Sequence, residues 1–351
     1  MTGGGPPART GGRPTSHRGP RGRQKLATDE RITLVTLTAE APTTGSSTAA
    51  HTAARKRRKR SESLAGYAFL SPWLLGFVLL TAGPMLASLY LAFTNYNLFA
   101  PPQWIGLENF QRLFQDPNYL QAWKVTGTYV LLGTPIKLIA ALAVAMLLNN
   151  AFGAKGFYRS SFYAPSLIGA SVSIAIVWKA MFIDNGIVDQ VQQFFGFPAG
   201  GWVGDPERTM PMLILLTVWQ FGAPMVIFLA GLKQIPQELY EAASVDGAGS
   251  GRKFLKITLP MLSPVIFFNL LLEMIHAFQI FASAFIISNG TGGPARSTLF
   301  YTLYLYFRGF QDFQMGYASA MAWILVIVVG ALAAVFFWSS KHWVHYSGEG
   351  K

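Results

Sequence analysis

Asn269, Glu273 and His276 recur at i, i+4 and i+7 inside an apolar stretch, so on a helix they occupy one face. Gln279 follows one turn later, and Trp219-Gln220 ahead of Gly222-Ala223-Pro224 forms a second polar interruption in an apolar run. Ionisable and amide groups at membrane depth are costly and mark functional sites by default. Their chemistry admits three uses: hydrogen bonding to a polar solute, proton relay through Glu273 and His276, or bonds between packed helices and subunits.

The surrounding composition sets these residues in lipid. Of 351 residues, 51% are hydrophobic and only 13% charged, whereas soluble domains carry about 25% charged residues. Six stretches approach the roughly 20 apolar residues that cross a bilayer: 67–93, 125–148, 161–182, 210–232, 264–288 and 317–338. None shows the two-residue alternation of barrel strands, so the expected fold class is an all-α membrane protein with six transmembrane helices. Cysteine is absent, which excludes disulfides, thiolate metal sites and cysteine nucleophiles. No nucleophile-base pair or metal-ligand spacing stands out, so no catalytic residue and no metal site is assigned.

Charge gives the orientation. Thirteen of the 28 Lys and Arg residues precede Ser61, in a Gly-, Pro-, Thr- and Ala-rich segment, residues 1–63, expected to be disordered. Arg55 to Arg60 then fall on the same side as Lys155, Arg159, Lys233, Arg252, Lys253, Lys256, Lys341 and Lys351. The other side carries Arg112, Lys124, Arg208, Arg296 and Arg308, offset by Glu108, Asp116, Asp184, Asp189, Asp205, Glu207 and Asp312. The positive-inside bias therefore predicts cytoplasmic termini, including a short tail at 344–351, and reads the basic run as a topology signal rather than a nucleic-acid site. Lys179 is placed to reach the outer face, and Lys137, mid-span beside Pro135, faces protein without an assigned role.

Between spans four and five, residues 233–262 form a polar cytoplasmic island. Pro236 suits a first helical position, Gln237-Glu238 a first turn, and Gly247 the left-handed residue that ends a helix. Leu239, Ala242, Ala243 and Asp246 share one stripe whose small alanines let another backbone approach. A second short helix is expected to run to Thr258, with Leu259-Pro260 breaking it. Gly247 to Lys253 has the spacing of a phosphate loop, but Arg252 replaces the second Gly and Phe254 the Mg²⁺-binding hydroxyl, so nucleotide binding is not expected.

Glu241-Ala242-Ala243, three residues, Gly247, nine residues, Ile257, one residue, and Leu259-Pro260 reproduce in type and spacing the EAA signature of permease subunits of binding-protein-dependent ABC importers. The chain resembles the carbohydrate branch of that family, alongside the maltose and glycerol-3-phosphate permeases. Gly156-Phe157-Tyr158-Arg159-Ser160, residues 219–232 and Gly290 to Thr298 agree, and the resemblance covers about 64–343. It implies a type I importer permease in a bacterial cell membrane, a second homologous permease, an ATPase dimer that holds ATP and Mg²⁺, and an extracytoplasmic sugar-binding protein. Glu241, Ala242, Ala243, Asp246, Gly247, Ile257, Leu259 and Pro260 would then couple to the ATPase, and Glu241 would meet one of its basic residues. Trp219, Gln220, Asn269, Glu273, His276 and Gln279 become candidates for the pathway of a di- or oligosaccharide. The alternative is an ion-coupled secondary sugar carrier, although no inverted repeat is evident among the spans.

Overall fold

The computed structural model describes residues 66–150, 155–169, 172–198 and 200–345. The basic run at 55–60, the tail at 1–63 and Lys351 lie outside the described residues. By its contacts the chain forms two units, Met1–Ser71 and Pro72–Lys351. In the first, residues 66–71 are helical and exposed, with the Ser71 hydroxyl donating to Ala68 O at 2.8 Å.

In the second unit the helices are α1 (Gly83–Ala92), α2 (Glu108–Gln115), α3 (Pro117–Asn150), α4 (Lys155–Gly169), α5 (Val172–Phe182), α6 (Ile187–Phe194), α7 (Pro206–Trp219), α8 (Gly222–Leu232), α9 (Gln237–Val245), α10 (Ser263–Phe278), α11 (Ala282–Ile287), α12 (Tyr301–Tyr306) and α13 (Met315–Trp343). Among the described residues there is no strand, only an isolated bridge between Thr94 and Trp104. Three helical stretches are long and apolar enough to cross a membrane unbroken: Gly66–Ala92, Pro117–Asn149 and Met315–Trp343. Three bent pairs could add one span each: Gly156–Ile168 with Val172–Phe194, Pro206–Trp219 with Gly222–Leu232, and Ser250–Met261 with Ser263–Phe278.

α3 is the element around which the others pack. Its buried side chains recur at helical spacing: Tyr119, Ala122, Val125, Tyr129, Leu138, Ala141, Ala145 and Leu148. Leu131, Ile139 and Leu147 remain exposed on the other side. One apolar stripe turned inward and one turned out is the pattern of a helix that meets protein on one face and lipid on the other. The N-terminal end of α3 packs with Tyr301, Tyr304 and Tyr317 of α12 and α13. Its middle meets α7 and α10 through Met212, Leu213, Leu216 and Met274, and its C-terminal third meets Met225, Phe228 and Leu232 of α8.

Near the start of α3, burial pushes the Asp116 carboxyl up, but hydrogen bonds from Tyr304, Tyr317 and the Asn118 amide, with the Arg308 guanidinium beside it, outweigh that and hold it below the usual carboxylate range. Tyr317 Oη donates at 2.7 Å and Arg308 Nη2 lies 3.2 Å away. Burial, and then the bond to Asp116, pushes the Tyr304 phenol up to about 12. The Arg308 guanidinium also sits over the Tyr304 and Tyr317 rings, at 5.0 and 5.5 Å.

Candidate functional site

Two sites emerge, one at a bundle end and one at helix breaks. At the end, α9 begins at Gln237: Pro236 is its N-cap, with ψ 131°, and not its first helical residue. The helix closes as the residue types predict. Gly247 has φ +71°, the Ala248 amide donates to Ala243 O at 2.9 Å, and the Gly247 amide donates to Ser244 O at 3.1 Å. That is the double bond of a Schellman cap, which needs a left-handed residue at the Gly247 position.

No residue of α9 is buried. Glu241 and Ala242 are exposed, Leu239 is 41% exposed and Val245 89%. Two side-chain bonds hold the helix to the rest of the loop: Tyr240 Oη with Thr258 Oγ1 at 2.9 Å, and Lys253 Nζ to Ser244 Oγ at 2.6 Å. Among the described residues, Glu241 accepts a hydrogen bond from its helix neighbour Gln237, whose Nε2 donates at 2.9 Å. Leu259-Pro260 do not break the second helix. A π turn over Phe254–Thr258 widens the coil, so the Leu259 amide reaches Phe254 O five residues back. Helix then continues through Leu259–Met261, and the 67° bend comes at Leu262 instead. Ile257, Leu259 and Pro260 thus lie on the return helix, Ser250–Met261, and not on α9.

The second site is a cavity of about 430 Å³, within the roughly 300–1,000 Å³ range of small-molecule sites. Gln220, Glu273, His276 and Gln279 line it together with Tyr129, Thr134, Lys137 and Thr217. Gln220 caps α7, and Gln279 caps α10 before the chain leaves helical geometry at Phe281, φ −135°. The apolar run at 264–288 is therefore two helices, α10 and α11. Open backbone at membrane depth must find partners, and such breaks persist where protein or a cavity supplies them. At the α7–α8 break, Ser166 Oγ of α4 donates to Gln220 O at 3.1 Å and accepts from the Ala223 amide at 3.0 Å. Gly222 permits that approach, since a Cβ there would lie 2.5 Å from Phe162 O.

On the cavity wall, Lys137 Nζ of α3 donates to Glu273 Oε2 of α10 at 2.7 Å, with side chains only 11% and 13% exposed. This pair is what residue-by-residue reading missed. The signal was present, because Lys137 and Glu273 are the sole Lys, Arg, Asp or Glu residues within the runs 125–148 and 264–288. Pairing lets each charge remain at depth, where an isolated one is costly. Tyr129 and Thr217 join hydroxyls beside it, and the buried Thr134 hydroxyl has no hydrogen-bond partner among the described residues. Two sequence candidates fall elsewhere. Asn269 is 2% exposed and donates to Val265 O of its own helix at 3.1 Å, while Trp219 packs against Trp178. Sharing a nominal face with Glu273 did not bring Asn269 to the cavity, because its amide folds back along α10. Lys179 is held by Ile286 O at 2.8 Å and by Asn289 Oδ1, which ties the end of α11 and the loop after it to α5. No group of three or more His, Asp or Glu side chains among the described residues is placed to hold a metal.

Residues 118–344 match the family of binding-protein-dependent transport system inner membrane components. The chain belongs to that family. It is 50% identical over 297 residues to the probable ABC transporter permease protein YesP of Bacillus subtilis, covering 84% of this chain and 96% of the relative. It is 31% identical over 298 residues to the lactose transport system permease protein LacF of Rhizobium radiobacter, covering 83% and 98%. The permease also shares its fold with a bacterial ABC transporter involved in the import of the acidic polysaccharide alginate, at TM-score 0.69 and 23% identity, over 82% of this chain and 98% of that one. As an inner membrane component of an ABC importer the permease is a transporter subunit, and the ion-coupled carrier reading gains no support.

Proposed function

We propose that this permease, through residues 64–343, lines half of an ATP-driven import pathway for a di- or oligosaccharide, with six spans and both termini in the cytoplasm of a bacterial cell. The observation that carries the reading is α9: a capped helix bearing Glu241, Ala242, Ala243 and Gly247, with no buried residue and little reason to be so regular unless a partner grips it. In this account α9 docks on an ATPase subunit, which holds the nucleotide and Mg²⁺, and the helix passes the motion of the ATPase dimer to the bundle. Tyr240 and Lys253 connect α9 to the return helix, which runs into α10 and so to Glu273. A displacement of α9 thereby reaches the cavity as a rigid-body shift.

The cavity supplies the chemistry a saccharide needs: the Lys137 donor, the Glu273 acceptor, the amides of Gln220 and Gln279, His276, and the aromatic Tyr129 and Phe281. A second permease would complete the opposite wall, and a binding protein outside the membrane would deliver the cargo. Relatives named for lactose and for arabinooligosaccharides support the saccharide class. The test is co-reconstitution with the second permease, ATPase and binding protein, followed by uptake of lactose, maltotriose and arabinotriose. ATP-dependent uptake of one of them is expected. Uptake that proceeds without the ATPase, or of none of the three, would overturn the proposal.

A further inference from the structure

α6 carries three faces with different surroundings. Val188, Asp189 and Gln192 turn to the protein: Val188 packs on the central core, Asp189 is 2% exposed and accepts from the Asn185 amide at 3.0 Å, and Gln192 accepts from Trp202 Nε1 at 3.3 Å. Ile187, Val191, Phe194 and Phe195 follow at i, i+4, i+7 and i+8, and form an apolar stripe beside that face. They are exposed by 59, 51, 85 and 68%, and Phe197 just beyond by 64%. Gln190 and Gln193 are exposed on the third side and carry no charge.

The helix is pinned by its first face, so the other two are fixed in direction. A turn at 183–186, where Asn185 has φ +60°, separates it from α5, and it forms the far end of the bent candidate span that closes with Val172–Phe194, ahead of α7, which sets it at the membrane boundary. The apolar stripe also continues an apolar surface, because Val172, Ile176, Val177 and Ile183 of α5 and its end are exposed too. Between Lys179 and Arg208 there is no cation, only Asp184, Asp189, Asp205 and Glu207, so attraction to anionic lipid cannot hold it.

We propose that α6 is an interfacial helix that lies along the bilayer surface, with Ile187, Val191, Phe194, Phe195 and Phe197 in the acyl boundary and Gln190 and Gln193 in water. Apolar insertion alone holds it, and it fixes the height of the α5–α7 connection against the lipid. The inference rests on the membrane placement of the family and is independent of the cargo.

Because the chain has no cysteine, single-cysteine variants report cleanly. Val191→Cys, Phe194→Cys, Gln190→Cys and Gln193→Cys would each carry a nitroxide in the importer assembled with cysteine-free partners in phosphatidylcholine vesicles. Collision with oxygen and with a water-soluble nickel chelate is then compared. At 191 and 194 oxygen should dominate, at a depth of about 5–10 Å, while at 190 and 193 nickel should dominate. Adding one-third phosphatidylglycerol should leave the depths unchanged. Nickel access at 191 and 194 equal to that at 190 would overturn the proposal. So would protection from both reagents, which signifies a protein cover, or a depth that requires the anionic lipid. Ile327→Cys, exposed midway along α13, serves as control: if it too sees nickel, membrane placement has failed and not the role of α6.

Discussion

The Lys137–Glu273 pair allows a quantitative test. Substituting Lys137→Met removes the ammonium but keeps most of the side-chain volume, and leaves the Glu273 carboxylate stranded at 13% exposure. Breaking a buried ion pair from one side costs about 3–5 kcal/mol. The cavity beside the pair admits water, so the lower end, about 3 kcal/mol, is expected. At about 2–4 °C per kcal/mol, the thermal midpoint should fall by roughly 6–12 °C. The double variant Lys137→Met with Glu273→Met should recover most of that loss, because an apolar replacement of a buried pair is often neutral or better. The assay is thermal unfolding of the assembled importer in nanodiscs, followed by tryptophan fluorescence for both single variants and the double. Uptake is measured in parallel, and should fail in the double variant despite its regained stability. If the single losses simply add, with a coupling below about 0.5 kcal/mol, the pair is not one unit and the reasoning is refuted.

Three further outcomes are expected. Gly247→Pro forces φ near −65° where the chain needs +71°, so uptake should be abolished with the protein still in the membrane, whereas normal uptake would exclude α9 as the coupling element. Gly222→Ala puts a Cβ 2.5 Å from Phe162 O and 2.8 Å from Tyr163 Cα, and should destabilise by about 1–3 kcal/mol, read as a lower midpoint with the cavity lost. Asp116→Asn tests the cluster near the start of α3. Its folded carboxyl lies below the ordinary 3.8, so its stabilisation is whole above that pH and disappears as pH falls through the folded value. The midpoint difference between wild type and Asp116→Asn should therefore narrow in acid. The raised Tyr304 phenol acts in the opposite sense: its contribution is whole below pH 10.0 and is lost as pH rises through about 12.

Apolar run length located the three unbroken helices long and apolar enough to cross a membrane, because hydrocarbon thickness leaves few alternatives. It failed where a span is interrupted from within. Nothing in residues 264–288 marks a stop at Phe278, since the break is stabilised from outside: the Thr302 hydroxyl of α12 donates to Ile280 O. Gly222 and Pro224 did advertise the α7–α8 break, because both residue types carry a local backbone preference. The same division holds for the sites. The Gly247 cap is local and readable within five residues. The Lys137–Glu273 bond joins residues 136 apart, and no periodicity along either helix predicts it. At Pro260 the rule that proline ends a helix was defeated by a π turn just before it, a backbone adjustment without a residue signature.

The pair has one more consequence. Moving a full charge through the membrane potential involves about 2.3 kcal/mol per 100 mV. Lys137 and Glu273 sit on different helices yet sum to zero, so a rearrangement that carries them together transfers no net gating charge. If they separate during the cycle, each would sense the field with opposite sign. A turnover rate that is flat with applied voltage would then mean that α3 and α10 travel as one body, and a voltage-dependent rate would time the moment they part.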